Sequence, residues 1–206
     1  LKNLYSQELK IDHQFDFNDL NILLNFLDKN IYKIEKLIGN FIKNIILIVE
    51  NEKNLKINMG IKKSYETSLK QKSFSSNLTE LKDLFKKNYQ DQTIMHMCII
   101  NYIIDGKRYS SFDTKLINDY FCIEVSFIAI DNKLVFAFDN VLEKYQIKIK
   151  QYMCGNYINN FIGDTGDEIS IIANKLRNGL NINEITIVPK HKENMGFFEK
   201  FFQLFS

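Results

Sequence analysis

Tryptophan is absent from this 206-residue sequence, proline occurs once, and glycine occurs only eight times. So few prolines and glycines exclude collagen-like and low-complexity chains. The three cysteines, Cys98, Cys122 and Cys154, form no Cys-x-x-Cys pair and are too sparse for a disulfide framework, which favours a reducing cytoplasm. No apolar run reaches the ~18–20 residues that a membrane-spanning helix needs. These absences favour an ordinary globular domain.

A large excess of charge of one sign is also missing. The chain has 27 basic and 25 acidic residues, a net charge of +2, and its 45% apolar and 25% charged content is that of a soluble domain. A nucleic-acid-binding protein usually carries a larger basic excess on one face. The composition therefore predicts a folded chain with a sizeable core and no nucleic-acid partner.

Motifs of catalysis, cofactor binding and metal binding are lacking as well. His13, His96 and His191 are far apart in sequence, no His-x-x-x-His or Cys-x-x-Cys pair occurs, and no Walker A pattern is present. We interpret His96, inside an apolar run, as a packed or edge histidine and not a catalyst. Glycines 163 and 166 flank a possible phosphate loop, but its two aspartates would repel phosphate, which favours a plain turn. The sequence predicts no enzyme, no metal and no cofactor, with an unrecognised hydrolase as a minor alternative.

Hydrophobic periodicity predicts the elements of the first half of the chain. Apolar residues at three- and four-residue steps predict a helix over 17–38, which Gly39 would end. The apolar run 45–49 predicts a strand covered on both faces, and the alternating residues 55–61 predict its hairpin partner. Residues 62–76 are rich in lysine and serine and predict an exposed edge or loop, with a basic partner-binding strip as the alternative.

The second half of the chain continues the pattern. A short amphipathic helix is predicted from Leu78 to about Tyr89, and a long strand over 93–104 is followed by the hairpin signal Asp105-Gly106. Further predictions are a strand over 121–130, a helix over 134–143, a strand over 145–150, a helix over 169–180 and a short strand over 185–188. Together these elements predict an α+β fold in which helices pack on one mainly antiparallel sheet that includes strands 44–49 and 145–150.

The last eleven residues have a composition of their own. On a helical wheel the apolar residues fall in an arc of about 160°, and the polar residues fill the remainder. A segregated wheel behind a polar linker is typical of a helix in a membrane interface, although a helix docked on its own domain or on a partner's core has the same pattern. The residues predicted to contact the membrane are Phe197, Phe198, Lys200, Phe201, Phe202, Leu204 and Phe205.

The helix followed by the apolar strand at 34–49 resembles the opening of the inserted subdomain of FtsA, the bacterial actin-like cell-division protein. The run from Thr93 to Gly106 is similar to the insert's hairpin, with its histidine, apolar strand, tyrosine and Asp-Gly turn. The spacing to the elements over 121–149 also fits, and the Phe-rich tail resembles the family's membrane-targeting helix. The resemblance covers residues 17–152 and the tail.

The resemblance implies an SHS2-type α+β domain over 17–152, preceded by a lead-in over 1–16. A short degenerate connecting region over 153–188 would follow, and then the linker and amphipathic helix over 189–206. It implies a cytoplasmic adaptor that self-associates and tethers the FtsZ division filament to the inner membrane. The family binds ATP, but its glycine-rich phosphate loops are missing here, so no ATP site is expected. The competing interpretation is a protein-binding module with a similar insert outside division, such as a pilus-assembly adaptor.

Overall fold

A computed structural model of the chain describes residues 3–11, 20–64, 71–104, 106–110, 120–163 and 166–185. The fold is α+β, as predicted. Within the described residues the helices are α1 (Asn21–Ile38), α2 (Gln71–Asn88), α3 (Asn132–Glu143), α4 (Gly155–Asn159) and α5 (Ile169–Arg177). The strands are β1 (Asn44–Val49), β2 (Leu55–Ser64), β3 (Gln92–Ile104), β4 (Lys107–Tyr109), β5 (Tyr120–Asp131) and β6 (Lys148–Cys154).

The larger sheet has four strands in the order β2-β5-β3-β4, and every neighbouring pair is antiparallel. The predicted alternation of β5 is confirmed, since every second side chain from Phe121 to Ala129 is fully buried. Leu81 and Phe85 of α2 are also fully buried and pack in the same cluster. Helix α2 therefore covers one face of this sheet, as an alternating strand requires.

The second sheet is a parallel pair, β1 and β6, and it corrects two predictions. Residues 55–61 are not the hairpin partner of β1, because β2 pairs with β5 instead. The strands do not form one sheet either, because β1 and β6 pair only with each other among the described residues. Antiparallel hairpins are the default for strands joined by a short turn, so sequence proximity favoured the wrong partner.

The core consists of two apolar clusters that meet at β3 and β5. One lies between α2 and the four-stranded sheet, and the other is built from β1, β6, α3, α4 and α5. Strand β3 supplies Met97 to the first cluster and Met95 to the second, and β5 supplies Phe127 and Ile130 in the same way. The shared strands join the two clusters into one packed unit.

Several element boundaries differ from the prediction, and among them β6 ends at Cys154 instead of residue 150 and α3 begins at Asn132 instead of residue 134. Helix α2 already begins at Gln71, so part of the predicted loop over 62–76 is helical and part belongs to β2. Strand β6 begins only at Lys148, because residues 144–146 form a turn in which Gln146 has a positive φ of 59°. Helix α5 ends at Arg177, before the predicted end at residue 180. Helix α1 ends at Gly39 as predicted, with a left-handed φ of 71°.

Several predictions lie outside the described residues. They are the start of the first helix over 17–19, the strand over 186–188 and the whole amphipathic tail over 196–206. Among the helices that the structure describes, none is both long and apolar enough to cross a membrane.

Candidate functional site at the C-terminal segment

The segment 181–185 runs alongside β3 in the antiparallel direction and is bonded to it through the backbone. Ile99 donates its N–H to the carbonyl of Asn183 at 2.9 Å, and Ile185 donates its N–H to the carbonyl of Met97 at 2.8 Å. Between these two bonds, Cys98 and Glu184 form an antiparallel bridge. The last described residues of the chain are thus attached to a central strand of the domain.

His96 is the centre of a buried polar network beneath this segment. It follows an irregularity in β3 between Ile94 and His96, of the kind that redirects side chains. The residue is 1% exposed. The backbone N–H of Cys154 donates to Nε2 at 2.9 Å, so the ring proton is on Nδ1, and Nδ1 donates to Oε1 of Glu184 at 2.7 Å. With Nε2 accepting, the imidazole is neutral in this arrangement.

Glu184 receives a second donor from α4. The hydroxyl of Tyr157 donates to Oε2 at 2.9 Å, and it accepts from Nδ2 of Asn181 at 2.8 Å and from the Cys98 thiol at 3.4 Å. The ring of Tyr157 also lies 4.1 Å from that of His96, measured between centroids. Burial, followed by the bond to Cys98, raises the pKa of the Tyr157 phenol, so the hydroxyl stays protonated and able to donate.

The network holds a cysteine, a histidine and a glutamate, which are the residue types of a nucleophilic triad, but it joins them differently. The Cys98 thiol bonds to Tyr157 and not to His96. Nε2 of His96, the nitrogen that would act as a base, already accepts the Cys154 N–H. Burial raises the pKa of Cys98, whereas a reactive cysteine needs a lowered one. This arrangement attaches the C-terminal segment to the domain and does not prepare a nucleophile.

The structure describes some of the residues that the sequence singles out, and others lie outside the described residues. His96 is the packed histidine that the sequence predicts. His13, His191 and all the predicted membrane-contacting residues from Phe197 to Phe205 lie outside the described residues, as do residues 164–165 of the glycine-flanked loop. In the described part of that loop, Asp167 forms an ion pair with Lys175 at 2.6 Å. No group of side chains able to hold a metal ion occurs in the described ranges.

Sequence reasoning missed the partners of His96. Glu184 is 88 residues away, directly before the predicted strand over 185–188, and Tyr157 lies in a helix of only five residues. The one available signal was a histidine inside an apolar strand, because a buried imidazole needs hydrogen-bonding partners. That signal predicts a hydrogen-bonding network around His96 but does not identify which residues belong to it.

No known family model matches this sequence, and no curated protein matches it either. The function of the chain therefore has to be argued from its own residues and geometry.

Proposed function

We propose that this protein is a non-enzymatic adaptor of the FtsA-like kind. Its folded domain would self-associate and bind division proteins such as FtsZ, and its C-terminal amphipathic segment would attach the assembly to the cytoplasmic face of the inner membrane. An SHS2-type insert within the α+β domain is part of this proposal. Residues 93–106 carry the resemblance, and their described part includes residues 93–104 of β3, which pairs with β4.

The attachment of residues 181–185 to β3 is the observation that carries the proposal. A membrane tether transmits position only if the chain leading to it is fixed to the folded domain. Here two backbone hydrogen bonds and the side chain of Glu184, which is 10% exposed, fix the chain shortly before the polar linker that begins at Pro189. An attachment of this kind suits a domain that is held at a membrane surface by its C-terminal segment.

Membrane binding by a single tail is expected to be weak. Six apolar side chains at ~1.5 kcal/mol each give an upper limit of ~9 kcal/mol. Burial in an interface is partial, and ordering the segment costs up to ~1 kcal/mol or more per residue. The net binding free energy of one tail is then a few kcal/mol, which corresponds to a Kd nearer millimolar than nanomolar. Stable attachment should therefore require several tails on one assembly.

Liposome co-sedimentation tests this function with the full chain as a monomer and as a forced oligomer, on vesicles of phosphatidylethanolamine and phosphatidylglycerol. We expect wild type to sediment with vesicles mainly as the oligomer, and Phe201→Glu or Phe202→Glu to remain in the supernatant. Phe136→Glu is the matched control, because Phe136 is a phenylalanine on α3 that is already 68% exposed. It should sediment like wild type.

Two results would contradict the proposal. Equal sedimentation of the tail variants and wild type as oligomers would assign the phenylalanines to a docked helix. Loss of sedimentation in Phe136→Glu as well would mean that the assay reports general apolar adsorption. A pilus-assembly or other binding module stays the alternative if the tail binds vesicles but the domain neither self-associates nor binds FtsZ.

A further inference from the structure

Strand β1 is an apolar strand, and one of its edges pairs with no other strand among the described residues. Its sequence from Ile45 to Val49 is wholly aliphatic, yet only Val49 is buried and the other four side chains are half-buried. Ile46, Leu47 and Ile48 pack against the second apolar cluster but stay half-buried, so the predicted coverage of both faces is only partial in the described structure. Parallel strands of such composition normally lie inside a sheet with both faces covered. Among the described residues β1 has β6 on one side and no strand on the other.

The two edges of the four-stranded sheet are built differently. Edge strand β2 carries three lysines, Lys56, Lys62 and Lys63, and edge strand β4 is only three residues long and includes Lys107 and Arg108. Short length and basic side chains are standard protections against pairing with another chain. Strand β1 has neither a charged residue nor a proline. Its composition is that of a strand that another segment covers.

A groove of about 460 Å³ lies between β1 and α5. Ile46, Ile48 and Ala173 give it an apolar lining, and Lys150 and Arg177 are the charged residues that line it. Neither cation has a carboxylate partner within ion-pairing distance among the described residues, whereas Lys175 on the same helix is paired with Asp167. The groove therefore combines apolar surface with unneutralised positive charge.

We infer that β1 and this groove bind an extended segment of a partner protein that alternates apolar and acidic side chains. Its backbone would pair with the free edge of β1, which gives affinity, and its acidic side chains would meet Lys150 and Arg177, which gives selectivity. The charge disfavours two other occupants. A second copy paired through β1 would bring the same cations together, and the chain's own linker includes Lys190, His191 and Lys192. This inference goes beyond the membrane role and does not depend on it.

Fluorescence anisotropy tests the inference with the full chain and a labelled, end-capped heptapeptide of alternating valine and glutamate. We expect binding that weakens about tenfold in Lys150→Glu/Arg177→Glu, which corresponds to the loss of two exposed ion pairs. Lys133→Glu, an exposed lysine on α3, is the matched control and should bind like wild type. A peptide N-methylated at alternate residues should bind poorly, because it cannot complete the backbone ladder.

Hydrogen exchange locates the contact. The amides of β1 that point away from β6 alternate with those that bond to β6, and only this outward set should gain protection when the peptide is bound. The inference is overturned if no binding occurs up to about 1 mM, if the N-methylated or a lysine-containing peptide binds equally well, or if Lys133→Glu weakens binding as much as the groove variant. Dimerisation that protects β1 in the absence of peptide would identify a second copy as the occupant, and peptide binding that appears only after deletion of residues 189–206 would identify the chain's own tail.

Discussion

Glu184 joins the C-terminal segment to the domain through two buried donors, Nδ1 of His96 and the hydroxyl of Tyr157. Replacing it by alanine would leave both donors without their acceptor. Each buried unsatisfied donor costs about 1–3 kcal/mol. The side chain therefore contributes more to stability than its position near the end of the described chain would indicate.

We predict that Glu184→Ala lowers the free energy of unfolding by about 2–4 kcal/mol. Glu143→Ala, on the exposed side of α3, should change it by no more than about 0.5 kcal/mol. Urea denaturation followed by circular dichroism measures both. A loss in Glu184→Ala no larger than in the control would mean that the network contributes nothing to the attachment.

Tyr145 links the turn before β6 to α1. Its hydroxyl donates to Oδ1 of Asp28 at 2.6 Å. Burial, and then the bond to Asp28, raises its pKa to about 12 from the usual value of 10. Because the folded-state pKa is the higher one, the tyrosine contributes stability below pH 10, and this contribution is lost as the pH rises towards about 12.

We predict that the stability difference between wild type and Tyr145→Phe is constant below pH 10 and narrows between pH 10 and about 12. Phenylalanine does not titrate, so the variant lacks this loss. Chemical denaturation at a series of alkaline pH values measures the difference. A gap that stays constant through this window would show that Tyr145 titrates alike in the folded and unfolded states.

At the scale of elements, helix α1 depends on its termination. Gly39 has a φ of 71° and donates its N–H to the carbonyl of Glu35, so it closes the helix in the left-handed conformation. A Cβ at this position would have no heavy atom within 4 Å beyond its chain neighbours, so the cost of a side chain there is conformational and not steric crowding. The backbone alone sets the requirement for glycine.

We therefore predict that Gly39→Ala destabilises the protein by about 1 kcal/mol, and that Gly39→Asn costs less because asparagine tolerates the left-handed region. Thermal or urea denaturation of the two variants gives the comparison. Equal losses in the two would contradict the conformational explanation.

Local elements followed from the sequence because their signals are local. The alternation of β5 and the glycine after α1 each describe their own segment, and both were confirmed. Strand pairing was harder, because β1 lies next to β2 in sequence but pairs with β6 about a hundred residues later. The same separation hid Glu184 from His96. What single-sequence periodicity leaves open is which distant segments meet, since burial in the core and not local pattern decides it.

At the scale of the whole molecule, β3 and β5 belong to both apolar clusters. Neither cluster can lose its packing without exposing residues of these two strands. The core is therefore expected to unfold as one cooperative unit, even though its strands form two sheets.

The absence of tryptophan allows a direct check of this cooperativity. We predict that two single tryptophan reporters give superimposable urea denaturation curves: Phe161→Trp beside Tyr157 in one cluster, and Tyr89→Trp beside Phe85 in the other. Met153→Ala in one cluster and Phe85→Ala in the other should each move both curves to lower urea together. Each should lower the free energy of unfolding by about 2–5 kcal/mol. Separate midpoints for the two reporters would show that the clusters unfold independently.

The pairing of β1 with β6 also has a consequence during synthesis. Asn44 leaves the ribosome 104 residues ahead of Lys148, its partner in the register. At about 5–20 residues per second, the first strand waits roughly 5–20 s for the second. Throughout that interval an uncharged aliphatic stretch is displayed by a nascent chain that cannot yet cover it. The order in which this protein is translated thus sets how long the side chains of β1 stay without the strand that pairs with them.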